Sequence, residues 1–390
     1  MSLVCLVVLL QVNPLIQEMV DEVSSDTILA SVQRLQDFVT RYAGHDSCFA
    51  AAEWIENRFI SYGMDSVYED TFDFNFPVPG NIVGIKKGMV YPDSCYTVIC
   101  AHFDATAGPA HHDSAPGADD NASGVAAVLE AMRILKDYQF GYSIRFIAFS
   151  AEEQGSIGSM FYVWRANQRG DDIHAALNFD MIGYADIEPE SIEVGGDTFC
   201  EPLIDHFIAC ADTYTTLLTR KRLGLIVSDE WWFCEYGYMA VGVMEDYPVT
   251  NPYYHSQADT IGAGFSNLGL CTEVVKAGIA ALASASVPLG ISERADLSAT
   301  TKPRLVIFPN PFKKEASITY HIAGDSDVAL KIFDVSGRLV RQWGHRVLRL
   351  SRCISWDGTD DSNQKLPSGV YFLKFKSGDY SATEKVLLIK

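Results

Sequence analysis

The sequence predicts an open α/β sheet covered by helices on both faces, followed by a small all-β sandwich. Three observations carry this reading. Compact β-branched runs alternate with amphipathic stretches up to about residue 287. Residues 288–303 are polar and turn-rich, as a linker would be. From residue 304 onward only short strand patterns recur, about seven in all, separated by turn signals. The 390-residue chain, 48% hydrophobic and 12% aromatic, can fill two such cores, which excludes a disordered protein.

The elements follow in order. Residues 1–10 (MSLVCLVVLL) read as a leader or prosegment core without basic residues ahead of it, which places 1–24 outside the main domain. A buried strand is the alternative, because the seven-residue run 4–10 is too short to span a bilayer. Asp26 is positioned to cap a helix whose apolar residues Ile28, Val32, Leu35, Val39 and Tyr42 keep the 3.6-residue period. A second helix over 49–62 stops at Gly63. Strands are predicted at 81–86, 97–101, 143–150, 175–182 and 239–244. Helices are predicted at 123–138, 158–167, 202–211 and 268–286. The later strands fall at 305–308, 317–322, 328–333, 339–343, 370–375 and 384–389. The large domain therefore spans 25–287 and the sandwich 304–390.

Charge and cysteine content narrow the function. A net charge of −20 repels nucleic-acid phosphates and argues against that partner. No stretch approaches transmembrane length. Nine cysteines form no Cys-x-x-Cys pair, so a thiolate zinc site is not expected. Cys100 and Cys210 sit in apolar runs; Cys48, Cys95, Cys200 and Cys234 lie nearer loops and could pair in an exported protein.

Five short segments concentrate the chemistry: His102-Phe103-Asp104, Gly117-Ala118-Asp119-Asp120-Asn121, Ala151-Glu152-Glu153, Asn178-Phe179-Asp180-Met181 and Tyr254-His255-Ser256. Most follow a predicted strand, and in an open α/β sheet the loops beyond the strands' carboxyl ends converge on one crevice. Carboxylates and imidazoles gathered there can hold a cation or move protons. Each alone reads as a solvated loop residue; their joint placement points to a hydrolytic metal site. The His111-His112-Asp113 loop reads as solvated, and Trp231-Trp232-Phe233 as core or pocket wall.

In that order the segments resemble the co-catalytic di-zinc aminopeptidases of clan MH, bacterial leucyl aminopeptidase type, over residues 25–287. The resemblance implies a zinc-exopeptidase fold with an open mixed, mostly parallel sheet. It implies that Asp119 bridges two zinc ions, with His102 and Asp180 completing one set and Glu153 and His255 the other. Glu152 would activate a metal-bridged water as general base, and Asp104 would orient His102. Asp120 would follow an unusual cis peptide after the bridging residue. The expected substrates are peptides with a free N-terminus. Ser228-Asp229-Glu230 departs from the family's frequent Ser-Asp-His. Tyr247, Tyr253 and Tyr254 are candidates to stabilise the oxyanion.

Residues 308–312 (FPNPF), 332–338 (IFDVSGR), Trp356-Asp357-Gly358 and 368–372 (SGVYF) resemble a bacterial immunoglobulin-like module of the kind that ends secreted enzymes as a sorting or attachment signal. That resemblance implies a secreted or cell-surface protein whose residues 304–390 engage export machinery or the cell surface. Alternatives on the same fold are a glutaminyl cyclase-like acyltransferase or a carboxypeptidase. An inactive binding or adhesion protein is a reading from another class, and Glu152 argues against it.

Overall fold

The computed structural model describes residues 12–187, 189–225, 227–289, 304–308, 310–313, 316–321, 326–347, 351–378 and 380–389. The chain divides into two compact units, residues 1–88 with 95–288 and residues 89–94 with 289–390.

The first unit begins with α1 (Pro14–Asp21), α2 (Ser25–Gln36), α3 (Asp46–Ser61), β1 (Ser66–Asp70), β2 (Asn81–Lys86) and β3 (Tyr91–His102). It continues through α4 (Ala122–Leu135), β4 (Tyr142–Phe149), α5 (Ile157–Arg169), β5 (Asp172–Phe179), β6 (Ser191–Gly196) and α6 (Glu201–Tyr214). β7 (Leu218–Leu223), α7 (Glu230–Glu235), β8 (Ala240–Met244) and α8 (Leu268–Ser286) complete it. The strands form one sheet in the order β1-β2-β4-β3-β5-β8-β6-β7. The β3–β5, β5–β8 and β6–β7 pairs are parallel, whereas β1–β2, β2–β4 and β6–β8 are antiparallel. The sheet is thus mixed, as expected, with a parallel centre at β3-β5-β8.

Helices cover both faces. Val98, Cys100, Phe149 and Ala176 pack with Tyr162 and Val163 of α5 and Phe233 of α7. On the other face the Phe179 ring is so close to α8 that a Cβ on Gly278 would lie 2.4 Å from it. Contrary to the expectation that no stretch approaches transmembrane length, α8 is long and apolar enough to cross a membrane by length and composition, but Val274, Gly278 and Leu282 are buried in this unit. It reads as a core helix.

Local chemistry shifts several boundaries. α2 is capped by Ser24, whose hydroxyl accepts from Thr27 N at 3.3 Å, rather than by Asp26. It stops at Gln36, short of the predicted Tyr42, because Val39 turns the chain with φ +68°. Residues 1–11 of the expected leader lie outside the described residues. Residues 12–24 belong to the packed unit: Ile16, Met19 and Val20 are buried, and Ser24 N donates to Glu130 at 2.7 Å. In this unit α1, β1, β6, β7 and α7 are additions to the predicted set.

The second unit has β9 (Arg304–Phe308), β10 (Ala316–His321), β11 (Ser326–Asp334), β12 (Leu339–Val347), β13 (Ser351–Trp356), β14 (Gly369–Ser377) and β15 (Tyr380–Leu388). Two antiparallel sheets, β13-β10-β9 and β12-β11-β14-β15, enclose Ile318, Tyr320, Leu330, Trp356, Leu373 and Phe375. Along β14, Tyr371, Leu373 and Phe375 point inward while Phe372, Lys374 and Lys376 face out, the period of a half-buried strand. Of the expected linker, 290–303 lie outside the described residues.

Candidate metal centre

His102 ends β3 and Asp180 immediately follows β5, so parallel pairing of these strands sets the two side by side. His102 Nε2 lies 3.3 Å from Asp180 Oδ1 and 3.3 Å from Asp120 Oδ1. On the other side of the same carboxylate, His255 Nε2 lies 3.2 Å from Asp120 Oδ2 and 3.0 Å from Glu153 Oε2. Two groups result, His102–Asp120–Asp180 and Asp120–Glu153–His255, each with donor atoms within 4.8 Å of one another. Asp120 belongs to both.

The expected bridge, Asp119, points elsewhere. Its Oδ1 accepts from Gly183 N at 2.8 Å and its Oδ2 from Asn251 Nδ2 at 2.9 Å. Burial and the charge of Asp259 leave the Asp119 carboxyl well above the usual range, against the hydrogen bond with Glu245; Glu245 is itself raised by burial and by Asp119. Two carboxyl groups this close in a dry site share a proton. Asp119 is therefore part of the wall behind the site. The cis peptide joins Asp120 to Asn121, one residue later than expected. The expected register is off by one throughout this loop.

Glu152 and Glu153 diverge as anticipated. Glu153 faces His255, and its Oε1 accepts from Thr106 N at 3.1 Å. Glu152 turns instead to Ser156, whose hydroxyl donates to Oε1 at 2.9 Å. Asp104 does more than expected and something different. Its carboxylate stands 3.6 Å from His102 Nδ1, whereas its carbonyl takes that ring nitrogen at 3.1 Å. The carboxylate accepts the main-chain N–H groups of Glu152 at 3.1 Å and Glu153 at 3.2 Å. Asp104 is fully buried, and these two bonds fix the main chain of the acidic pair. Ala151, Met181 and His255 all have φ between +51° and +57°. For non-glycine residues this left-handed backbone costs about 1 kcal/mol each, and the three lie in the loops that carry Glu152, Glu153, Asp180 and His255.

The electrostatics suit cations. Although burial alone would depress His102, Asp180 and its other carboxylate neighbours hold it well above the ordinary histidine value. Burial would likewise lower His255, but Asp120 and Glu153 hold it up to about 10. Burial and the Asp120 charge push Glu153 up to about 7. Burial also pushes Asp229 up to about 7. A cation in either group, His102–Asp120–Asp180 or Asp120–Glu153–His255, would offset the mutual repulsion of its carboxylates. The chemistry of the set fits zinc, since imidazole and carboxylate without thiolate are typical of catalytic sites. Tetrahedral bonds of ~2.05 Å put donors about 3.3 Å apart, close to the 3.0–3.3 Å found here.

Several functional residues escaped sequence reading. Asp259 accepts Asp119 N and Asp120 N at 3.0 Å each, and Asn251 and Glu245 brace Asp119. Arg41 is fully buried and ties main-chain carbonyls together beneath the site. Asp259 lies four residues after His255 in a polar loop with no strand before it to mark it, and a lone Arg beyond a helix carries no signal either. Tyr254 stacks on His255 with ring centroids 3.7 Å apart, which distinguishes it from Tyr247 and Tyr253. Trp231 is half exposed, while Phe233 joins the core.

Comparison with known proteins matches residues 81–276 to Peptidase family M28 and residues 306–390 to the secretion system C-terminal sorting domain. The latter marks a secreted or cell-surface bacterial protein. A probable leucine aminopeptidase of Arthroderma otae is 28% identical over 256 residues, 63% of this chain and 70% of its own length. A probable zinc metalloprotease of Pyrenophora tritici-repentis is 29% identical over 238 residues, 54% of this chain and 52% of its own. The Legionella pneumophila LapA aminopeptidase shares the fold, with a TM-score of 0.63 at 23% identity over 72% of this chain and 76% of its own.

Proposed function

The chain belongs to peptidase family M28 and is a hydrolase, and from that premise we propose a secreted zinc aminopeptidase that removes N-terminal residues from peptides. One zinc ion is assigned to His102, Asp120 and Asp180, and a second to Asp120, Glu153 and His255. The observation that supports this most is the Asp120 carboxylate, which offers one oxygen beside each histidine, at 3.3 Å and 3.2 Å. When bound, such ions supply Lewis acidity and lower the pKa of water toward neutrality.

The chain's own groups handle the proton. Glu152 takes it from the attacking water and returns it to the departing amine. Burial raises Glu152 well above an ordinary carboxylate, which suits a group that must both accept and release a proton near neutral pH. Ser156 holds one Glu152 oxygen and Asp104 anchors its main chain, leaving Oε2 for the water. Asp180 and His255 are the ligand side chains most open to solvent, so substrate enters past them. Its ammonium group meets a surplus of carboxylates there.

A panel of aminoacyl chromogenic substrates, with metal analysis, tests the reading. Hydrolysis of free-amine substrates, lost with chelator and restored by zinc at two ions per chain, is expected. Chelator-insensitive cleavage, or activity on N-blocked substrates alone, would overturn it. A count of one ion per chain would overturn the shared-ligand assignment.

A further inference from the structure

We infer that Arg41 is a positioning residue for the zinc-binding loops, fixing the segments that carry His102 and Asp120 relative to each other. This rests on the two-ion reading above. Arg41 is fully buried, yet among the described residues its guanidinium makes no ion pair. It donates instead to four main-chain carbonyls: Nε to Phe103 O at 2.7 Å, Nη1 to Leu35 O at 3.0 Å and to Pro116 O, and Nη2 to Gly117 O at 2.8 Å. Its own main chain adds two links, Arg41 N to Ala115 O at 3.2 Å and Ala105 N to Arg41 O at 3.1 Å.

The acceptors are informative. Phe103 stands between His102 and Asp104, and Gly117 lies three residues before Asp120. One rigid, planar fork thus spans the β3 exit loop and the loop that leads to α4. Burying a guanidinium costs several kcal/mol, and the usual compensation is a carboxylate partner. Here carbonyl dipoles do that work, with the Asp259 and Asp104 charges further off. Such an arrangement holds geometry; a packing role alone would be served by an apolar side chain.

Gly117 shows how tightly the pieces meet. Its φ is +52°, and a Cβ there would lie 2.3 Å from Asp120 O, 2.5 Å from Ala105 Cβ and 2.9 Å from Arg41 Nη2. The Asp120 main chain therefore rests against the residue whose carbonyl Arg41 holds. From above, Asp259 fixes the same strand of backbone through Asp119 N and Asp120 N. Displacing the fork shifts Asp120 relative to His102, and the donor spacing needed by a zinc ion is lost.

The test uses full-length protein and zinc itself. Arg41→Lys keeps the charge but has one nitrogen in place of the planar fork, and Arg41→Gln removes the charge. Zinc dissociation constants are measured by competition with a chromophoric chelator, and cobalt-substituted protein gives the absorption spectrum of the site. Both variants are expected to bind zinc ~10–100-fold more weakly, with a changed cobalt spectrum and a cooperative melt. Val32→Ala, which truncates a buried α2 side chain away from both loops, should keep wild-type zinc affinity and spectrum. If Val32→Ala weakens zinc as much, or the Arg41 variants bind zinc normally, the proposal is overturned. Should the Arg41 variants not fold, Gly117→Ala presses on the same carbonyls with the guanidinium retained. Unchanged zinc affinity there overturns it equally. Failure of the wild-type protein to bind zinc would instead refute the two-ion reading.

Discussion

Asp119 and Asp120 are neighbours in the chain whose carboxylates serve different structures. Asp120 faces His102 and His255 at 3.3 Å and 3.2 Å, while Asp119 accepts Gly183 N and Asn251 on the far side. Their main-chain N–H groups nonetheless share one acceptor, Asp259. That shared anchor lets two adjacent acids diverge: one backs the site and the other lines it.

The divergence separates two substitutions that differ by one position. Asp120→Asn should lose bound zinc and at least ~10²-fold of turnover, because one residue serves both groups. Asp119→Asn should keep zinc. It should cost about 1–3 kcal/mol of stability, since the new amide N–H₂ meets the Asn251 donor. Metal analysis of both purified variants decides the point. Zinc loss in Asp119→Asn with retention in Asp120→Asn would restore the register expected from sequence.

Glu152→Gln separates proton transfer from metal binding. Ser156 can still donate to the amide oxygen, and Glu152 belongs to neither ligand group. Zinc content should stay at the wild-type level while turnover falls ~10²–10⁴-fold. Near-normal turnover in the zinc-loaded variant would remove Glu152 from its role.

Much of the site was legible because its residues close strands. His102, Glu152, Glu153 and Asp180 follow β-branched or aromatic runs whose period is plain, and motif order supplied His255. The Asp119/Asp120 choice was not legible. It depends on a backbone reversal and on Asp259, which is far away in sequence. Arg41 was invisible for a related reason: its partners are carbonyls, which carry no side-chain signature. In the fold, β2 and α8 were read to the residue, whereas β7 was missed. Its LTRKRL sequence is a charged edge strand whose Arg220, Lys221 and Arg222 pair with Glu193, Glu201 and Asp246. Edge strands lack the apolar alternation that reveals buried ones.

Stability should depend on pH through two histidines remote from the metal groups. Burial pushes His174 and His206 down to about 4, from an ordinary 6.5. Above pH 6.5 they are neutral in both folded and unfolded chains. As pH falls from 6.5 toward 4 the unfolded chain takes up protons that the folded one refuses, so stability drops. Each can remove up to about 3 kcal/mol. His206 Nε2 lies 3.2 Å from Ala281 O, a contact that a glutamine amide can reproduce. Urea unfolding at pH 7 and pH 4.5 should therefore show a smaller pH difference in His206→Gln than in wild type. Equal differences would mean that His206 does not resist protonation.

Val39 offers a stabilising change. It is a β-branched residue at φ +68° and 58% exposed, so it bears the left-handed penalty with little burial in return. That backbone costs an L-residue ~1–2 kcal/mol, and glycine adopts it freely at an entropic cost of ~0.5–1 kcal/mol. The net gain for Val39→Gly should be about 0.5–1 kcal/mol. Val39→Asn should also gain, since asparagine tolerates this region and orders at less entropic cost. The turn itself is kept by main-chain bonds, Val39 N to Gln36 O at 2.9 Å and Thr40 N to Phe38 O at 2.7 Å, which neither change touches. Because the turn delivers Arg41 to its carbonyls, zinc affinity should be unaltered in both variants while the melting temperature rises. A fall in melting temperature would show that the Val39 side chain contributes contacts outweighing its strained backbone.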